Sequence, residues 1–202
     1  MQYLEIDPFI PYVPFIGRKG RQANRFLISV NAGGMMRDIE QAVAQHREAI
    51  RRLLSAAQSA RAIWTTPRAP GKWSPSQVTE HIARSLEESA HVAAGRPSRF
   101  PTFPSLVRPL MRVLFFNRVL STQAFPKAKT NPPFDPESGP SSPDDATRRV
   151  TEAAELFETE CRACHGRGEV VRSTVFGNVS VMDYMKFQEL HTRHHTKQIP
   201  SG

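Results

Sequence analysis

Between residues 96 and 143 the chain carries ten prolines, and this stretch constrains the fold more than any other feature. Proline has a fixed φ and no N–H, so neither a long helix nor a central strand runs through such a segment. On either side, apolar residues recur at helical spacing. Ile39, Val43, His46, Ile50, Leu53 and Leu54 follow three- and four-residue steps, which predicts a first helix over 37–61. Ser74, Pro75 and Gln77 read as a capping box with proline in the first helical position, and Gly95 as a stop. They predict a second helix over 75–94. Downstream, Asp144 or Asp145 opens a third helix ending at Gly166. Val150, Ala153, Ala154, Phe157 and Cys161 form its inner stripe, with Arg148, Glu152 and Glu155 in water. A fourth runs over about 181–199, before Pro200.

The expected fold is therefore all-α, a four-helix bundle with a long proline-rich crossover between helices two and three. The crossover, 96–143, is expected to hold one short helix around 105–119. Its end, DPESGPSSPDD, reads as a flexible surface loop, and VFGNVS as a plain turn before the last helix. Residues 1–34 lack any sustained period and are expected to form a poorly structured extension, with Met35 or Met36 as an alternative start. Residues 35–200 then form the domain.

Several classes drop out on composition. The most apolar stretch, LVRPLMRVLFFNRVL, is broken by Arg108, Arg112, Arg118 and Pro109, so no membrane partner is expected. The first residues lack a basic region followed by a clean apolar run, which makes the cytoplasm the expected location. The net charge is +8, but basic residues are scattered among glutamates and aspartates without interleaved aromatics, so nucleic acid is not the expected partner.

The last helix carries three histidines in HTRHH. Tyr184, Phe187, His191, His195 and Gln198 share one stripe, opposite Lys186, Glu189, Arg193 and Lys197, which are expected to be the wet face. His191 and His195, one turn apart, point inward together, while His194 lies at the border of the interface. On the second helix His81 falls between Val78 and Ile82, with Ser85 one turn on, so it too faces inward. Unpaired imidazoles in an apolar core are costly, so these call for a metal, carboxylates or water as partner; three neutral ones converging would make a site for Zn²⁺, Ni²⁺ or Fe²⁺ with a position left for water. His46 and His91, which stand alone, are expected to be satisfied or exposed.

GKWSPSQVTEHIARS, followed far downstream by VFGNVSVMDYMKFQELHTRHHTKQI, resembles the DinB-like superfamily of metal-binding four-helix bundles. The residues that carry the likeness are Trp73, Ser74 and His81, then Phe176, Gly177, His191, His194, His195 and Gln198. The resemblance spans about residues 36–199 and implies a divalent metal held by His81, His191 and His195. It also implies a metal-dependent hydrolase or a thiol-dependent transferase that activates water or a low-molecular-weight thiol for a small-molecule substrate, and a homodimer. His194, or Glu80 beside the ligand, is the candidate orienter or general base. The superfamily's name refers to damage-inducible expression and carries no implication of DNA binding.

Two alternatives remain. One is a non-catalytic bundle that binds metal or ligand and acts through association. The other is more remote: Cys161, Cys164 and His165 match the C-x-x-C-H pattern of covalent haem attachment, which makes a c-type haem protein, though Cys161 already belongs to a helix's apolar stripe.

Overall fold

The structure is a computed structural model that describes residues 21–126 and 130–200, with side chains described from Asp38 onward. It is mostly helical. In chain order the main elements are α1 (Arg21–Ser59), α2 (Pro75–Ala93), α3 (Arg108–Met111), α4 (Arg118–Thr122), α5 (Pro143–Gly166) and α6 (Val181–Thr196), with β1 (Val171–Ser173) and β2 (Gly177–Val179) before α6. Helix α1 begins well before the expected Arg37; the expectation for residues 1–20 lies outside the described residues. Arg37–Gly202 forms a compact unit.

Helix α2 is the hub. Its start is set by Ser74, whose side chain accepts from the Gln77 N–H while Gln77 Oε1 accepts from the Ser74 N–H at 3.0 Å. Its end is set by Gly95 at φ +69°, a conformation open to glycine and strained for most other residues. In between, Val78, Ile82, Ala83, Leu86 and Ala90 are buried in one core with Val43 and Leu53 of α1, Val150 and Phe157 of α5, and Met185 and Leu190 of α6. Helix α5 opens on Ser142, whose side chain accepts from the Asp145 N–H, with Pro143 in the first turn. Its expected split holds: Val150, Ala153 and Phe157 are buried, and Arg148, Glu152 and Glu155 are exposed.

The proline-rich crossover departs from expectation in one respect. Its short helix is present, as α3, a π-helical turn (Arg112–Asn117) and α4. The wide π turn brings both Phe115 and Phe116 against the body of the domain, where Phe116 stacks on Phe187 at 4.9 Å between ring centres. The DPESGPSSPDD loop, however, is tied down along the start of α2. Prolines leave its carbonyls as the main hydrogen-bonding groups, and α2 supplies donors for them. Gln77 Nε2 donates to Pro136 O at 2.9 Å, and Ser76 Oγ donates to Pro140 O at 2.8 Å. Trp64 Nε1 also donates to Pro140 O, at 2.8 Å.

Two further corrections concern the end of the chain. The VFGNVS turn belongs to an antiparallel hairpin in which Val171 pairs with Val179 and Ser173 with Gly177. Strands this short give no periodic signal of their own. Glu189, expected on a wet face, is 1% exposed. The side of α6 opposite the histidines packs near α1, and Lys186 Nζ and Arg193 Nη2 each lie 2.7 Å from the Glu189 carboxylate.

Gly139 sits so close to α2 that a Cβ there would overlap the Ser76 carbonyl oxygen and lie 2.6 Å from Ser76 Oγ. Gly139→Ala is therefore expected to lower stability by about 1–3 kcal/mol, the usual cost of overpacking, because the obstacle is helix backbone. Denaturant unfolding checks this, and an unchanged midpoint would contradict the close packing of loop and helix.

Candidate metal centre

His81 lies midway along α2 and His191 and His195 lie one turn apart on α6, so the packing of two helices brings the three imidazoles together. Each offers a ring nitrogen, and the three nitrogens lie within 4.8 Å of one another. His81 Nε2 and His191 Nε2 are 3.2 Å apart. Two imidazole nitrogens bound to one tetrahedral ion at about 2.0–2.1 Å stand about 3.3 Å apart, so the spacing suits a shared ion.

The outer nitrogens are fixed. His81 Nδ1–H donates to Phe134 O at 2.7 Å, which leaves its Nε2 lone pair pointing at the cluster. His195 Nδ1–H donates to Gln198 Oε1 at 3.1 Å, leaving its own Nε2 free in the same way. Gln198 then donates through Nε2 to His194 Nε2 at 3.2 Å. One amide thus orients a cluster histidine with its oxygen and His194 with its nitrogen. Hydrogen bonds of this kind fix the tautomer and orientation of metal-binding imidazoles.

The electrostatics favour neutral rings. Burial pushes His81 down to about 4, only partly offset by the Phe134 carbonyl. Lost hydration, and then the neighbouring histidines, put His191 and His195 well below the ordinary imidazole value. His194 is lowered by partial burial and by Lys197. Unprotonated imidazole is the form that binds metal.

The cluster opens onto a cavity of about 950 Å³. Trp73, Phe100, Phe115, Phe125, Phe134, Phe176 and Phe187 contribute apolar wall, and Arg68, Lys72 and Lys197 add charge. Trp73 lies 4.6 Å from the His81 ring and 5.7 Å from that of His195, between ring centres, and is held by Nε1–H donation to Asp135 Oδ1 at 3.0 Å. Phe125 covers His191 and His194 at 5.2 and 5.6 Å.

Residues 39–201 match the model of a family described as Protein of unknown function (DUF1569). The chain belongs to this family. No curated protein and no solved structure matches it.

Of the residues singled out in the sequence, the structure brings His81, His191 and His195 together and places His194 on the same cavity. It does not bring Glu80 there. One position before His81, Glu80 is turned by a helical step toward α5. Its carboxylate accepts from Arg84 Nε at 2.7 Å and lies 3.4 Å from Arg149 Nε. His46 is fully buried, with Nδ1 3.0 Å from Glu158 Oε1 but Nε2 without a hydrogen-bond partner, while His91 is partly exposed and 3.8 Å from Glu88. The haem pattern has no accessible thiol: Cys161 and Cys164 are 0% and 1% exposed, and burial pushes both thiols up. Sequence reasoning missed the Phe125, Phe134 and Asp135 contributions, because an irregular crossover has no periodicity from which facing residues can be read.

A pH prediction follows from the direction of these shifts. In the unfolded chain the histidines take up protons near pH 6.5, but folded His81 resists them until about 4. The metal-free protein is therefore fully stable with respect to His81 above pH 6.5 and loses stability as the pH falls from there toward 4. The total loss is on the order of 3 kcal/mol from this residue, at about 1.4 kcal/mol per pKa unit. Urea unfolding of His81→Gln alongside wild type checks this, with a shallower fall expected in the variant across that window.

Proposed function

We propose that this chain is a DinB-like four-helix-bundle metalloprotein in which His81, His191 and His195 hold one divalent ion in front of a substrate cavity. The supporting observation is the convergence of ring nitrogens from three imidazoles within 4.8 Å, with the outer nitrogens of His81 and His195 engaged by Phe134 O and Gln198 Oε1. Three imidazoles with no thiolate suit Zn²⁺, Ni²⁺ or Fe²⁺, and three protein ligands leave a coordination position for a reactant. Bound there, the ion would supply Lewis-acid polarisation of water or of a low-molecular-weight thiol.

The chain's own residues define the rest of the chemistry. The cavity joins the histidines to an aromatic enclosure, which favours an enzyme acting on a small molecule over a purely structural ion. His194 faces the cavity with its Nε2 already accepting from Gln198, so its Nδ1–H is the group placed to steer a reactant by donation. Glu80 is committed to two arginines and takes no part. Both cysteines are buried away from the cavity, so a thiol reaction would draw its sulfur from a cosubstrate. The two reactions are therefore metal-dependent hydrolysis and thiol S-transfer.

Metal analysis of protein prepared with each ion in turn is expected to find about one ion per chain. In His81→Ala and His191→Ala that content is expected to fall below about a tenth of wild type. Gln198→Ala leaves the three ligands in place and is expected to weaken metal binding by about 10- to 100-fold. Metal-replete wild type that carries no ion would end the reading. Turnover of simple esters and amides, compared with turnover of electrophiles in the presence of glutathione or bacillithiol, separates hydrolysis from thiol transfer.

A further inference from the structure

The helical segment from Arg108 to Thr122 has two unlike faces. Inward, Met111 and Phe115 line the cavity, while Phe116 and Val119 are buried. Outward, Leu110, Val113 and Leu114 are 56%, 60% and 61% exposed, and Leu106 in the preceding turn is 91% exposed. Single exposed aliphatics are ordinary, but four within nine residues form a patch that calls for a partner.

The charge around this patch is as uneven as its hydropathy. Charges mix along most of the chain, yet from Ser89 to Phe134 there is no Asp or Glu and there are seven Lys or Arg. Three of these, Arg108, Arg112 and Arg118, lie on the segment itself. Arg108 Nε donates to Phe103 O and Arg112 Nη1 to Asn178 O, both at 2.8 Å, while Arg118 is exposed. Among the described residues, none of the three has a carboxylate partner within ion-pair distance.

We propose that this face docks the protein onto an anionic lipid surface. Aliphatic side chains flanked by cations suit the boundary between acyl chains and phosphate-bearing headgroups. A symmetric pair of this chain meeting through the same face would set unneutralised arginines against one another, which disfavours a second copy as the occupant. No described helix is long and apolar enough to cross a membrane, and interfacial docking requires none. Because Met111 and Phe115 belong to the same segment, docking carries one wall of the cavity to the headgroup region. The inference does not depend on the metal reading.

Co-sedimentation of the full chain with vesicles tests it. Partition onto mixed phosphatidylglycerol–phosphatidylcholine vesicles is expected to exceed that onto pure phosphatidylcholine by at least about tenfold. It should collapse near 0.5 M NaCl, where surface charges are screened over roughly 4 Å. Leu110→Gln/Leu114→Gln is expected to lose about tenfold or more of this partition while keeping its helical circular dichroism. Should that double variant misfold, Arg118→Gln provides a milder probe and should weaken partition, whereas Arg51→Gln, which removes an exposed charge from α1, should not. Equal binding to both vesicle types would overturn the proposal, as would unchanged binding of the folded leucine variant. It would also fail if the leucine variant abolished a wild-type dimer in sedimentation velocity while wild type ignored vesicles.

Discussion

The hydrogen bond from His81 Nδ1–H to the Phe134 carbonyl, at 2.7 Å, joins the two halves of the architecture. It ties the middle of α2 to the far end of the crossover, and it decides which nitrogen of His81 is left for the cluster. The contacts beside it act in the same direction. Trp73 holds Asp135, Gln77 holds Pro136, Ser76 holds Pro140, and Phe134 stacks on Phe100 at 4.7 Å. A proline-rich segment with few backbone donors of its own is thereby given a defined path over the histidines. That path places Phe125 and Phe134 as cavity wall.

Three imidazoles kept largely out of water burden the fold. Each unpaired buried polar group costs about 1–3 kcal/mol, and the rings also lose the stabilisation that protonation would bring in acid. The structure lowers this burden without removing it. Phe134 and Gln198 satisfy one nitrogen each on His81 and His195, while the inward nitrogens face one another. A core selected only for stability would fill this space with aliphatic side chains. Convergent nitrogens beside a cavity are the arrangement expected where an ion compensates the cost.

The readable parts of this fold were those governed by local rules. The capping box at Ser74 and the glycine stop at Gly95 bounded α2 closely, and the three- and four-residue spacing placed His81, His191 and His195 inward without knowledge of the partner helix. Glu189 was misread because periodicity separates apolar from polar faces, and a carboxylate buried with Lys186 and Arg193 looks like a solvated one in sequence. Glu80 faces away from the cluster for a geometric reason. Adjacency to a ligand along a helix means a rotation of about 100° away from it, so the neighbour in sequence faces a different helix. The hairpin stayed hidden because three-residue strands are too short to alternate visibly.

The crossover shows why apolar content alone could not be assigned to a core. Its aliphatic and aromatic residues serve three environments. Phe116 and Val119 are buried, Met111, Phe115 and Phe125 line the cavity, and Leu106, Leu110 and Leu114 face outward. The π-helical turn lies at this division, with Phe115 and Phe116 both turned to the body against Phe176 and Phe187. With that face committed inward, the remaining aliphatics have no protein surface to cover within the described residues. Their exposure is thus a consequence of building the cavity wall from a short, two-faced helix, and the cations around them select what that surface can meet.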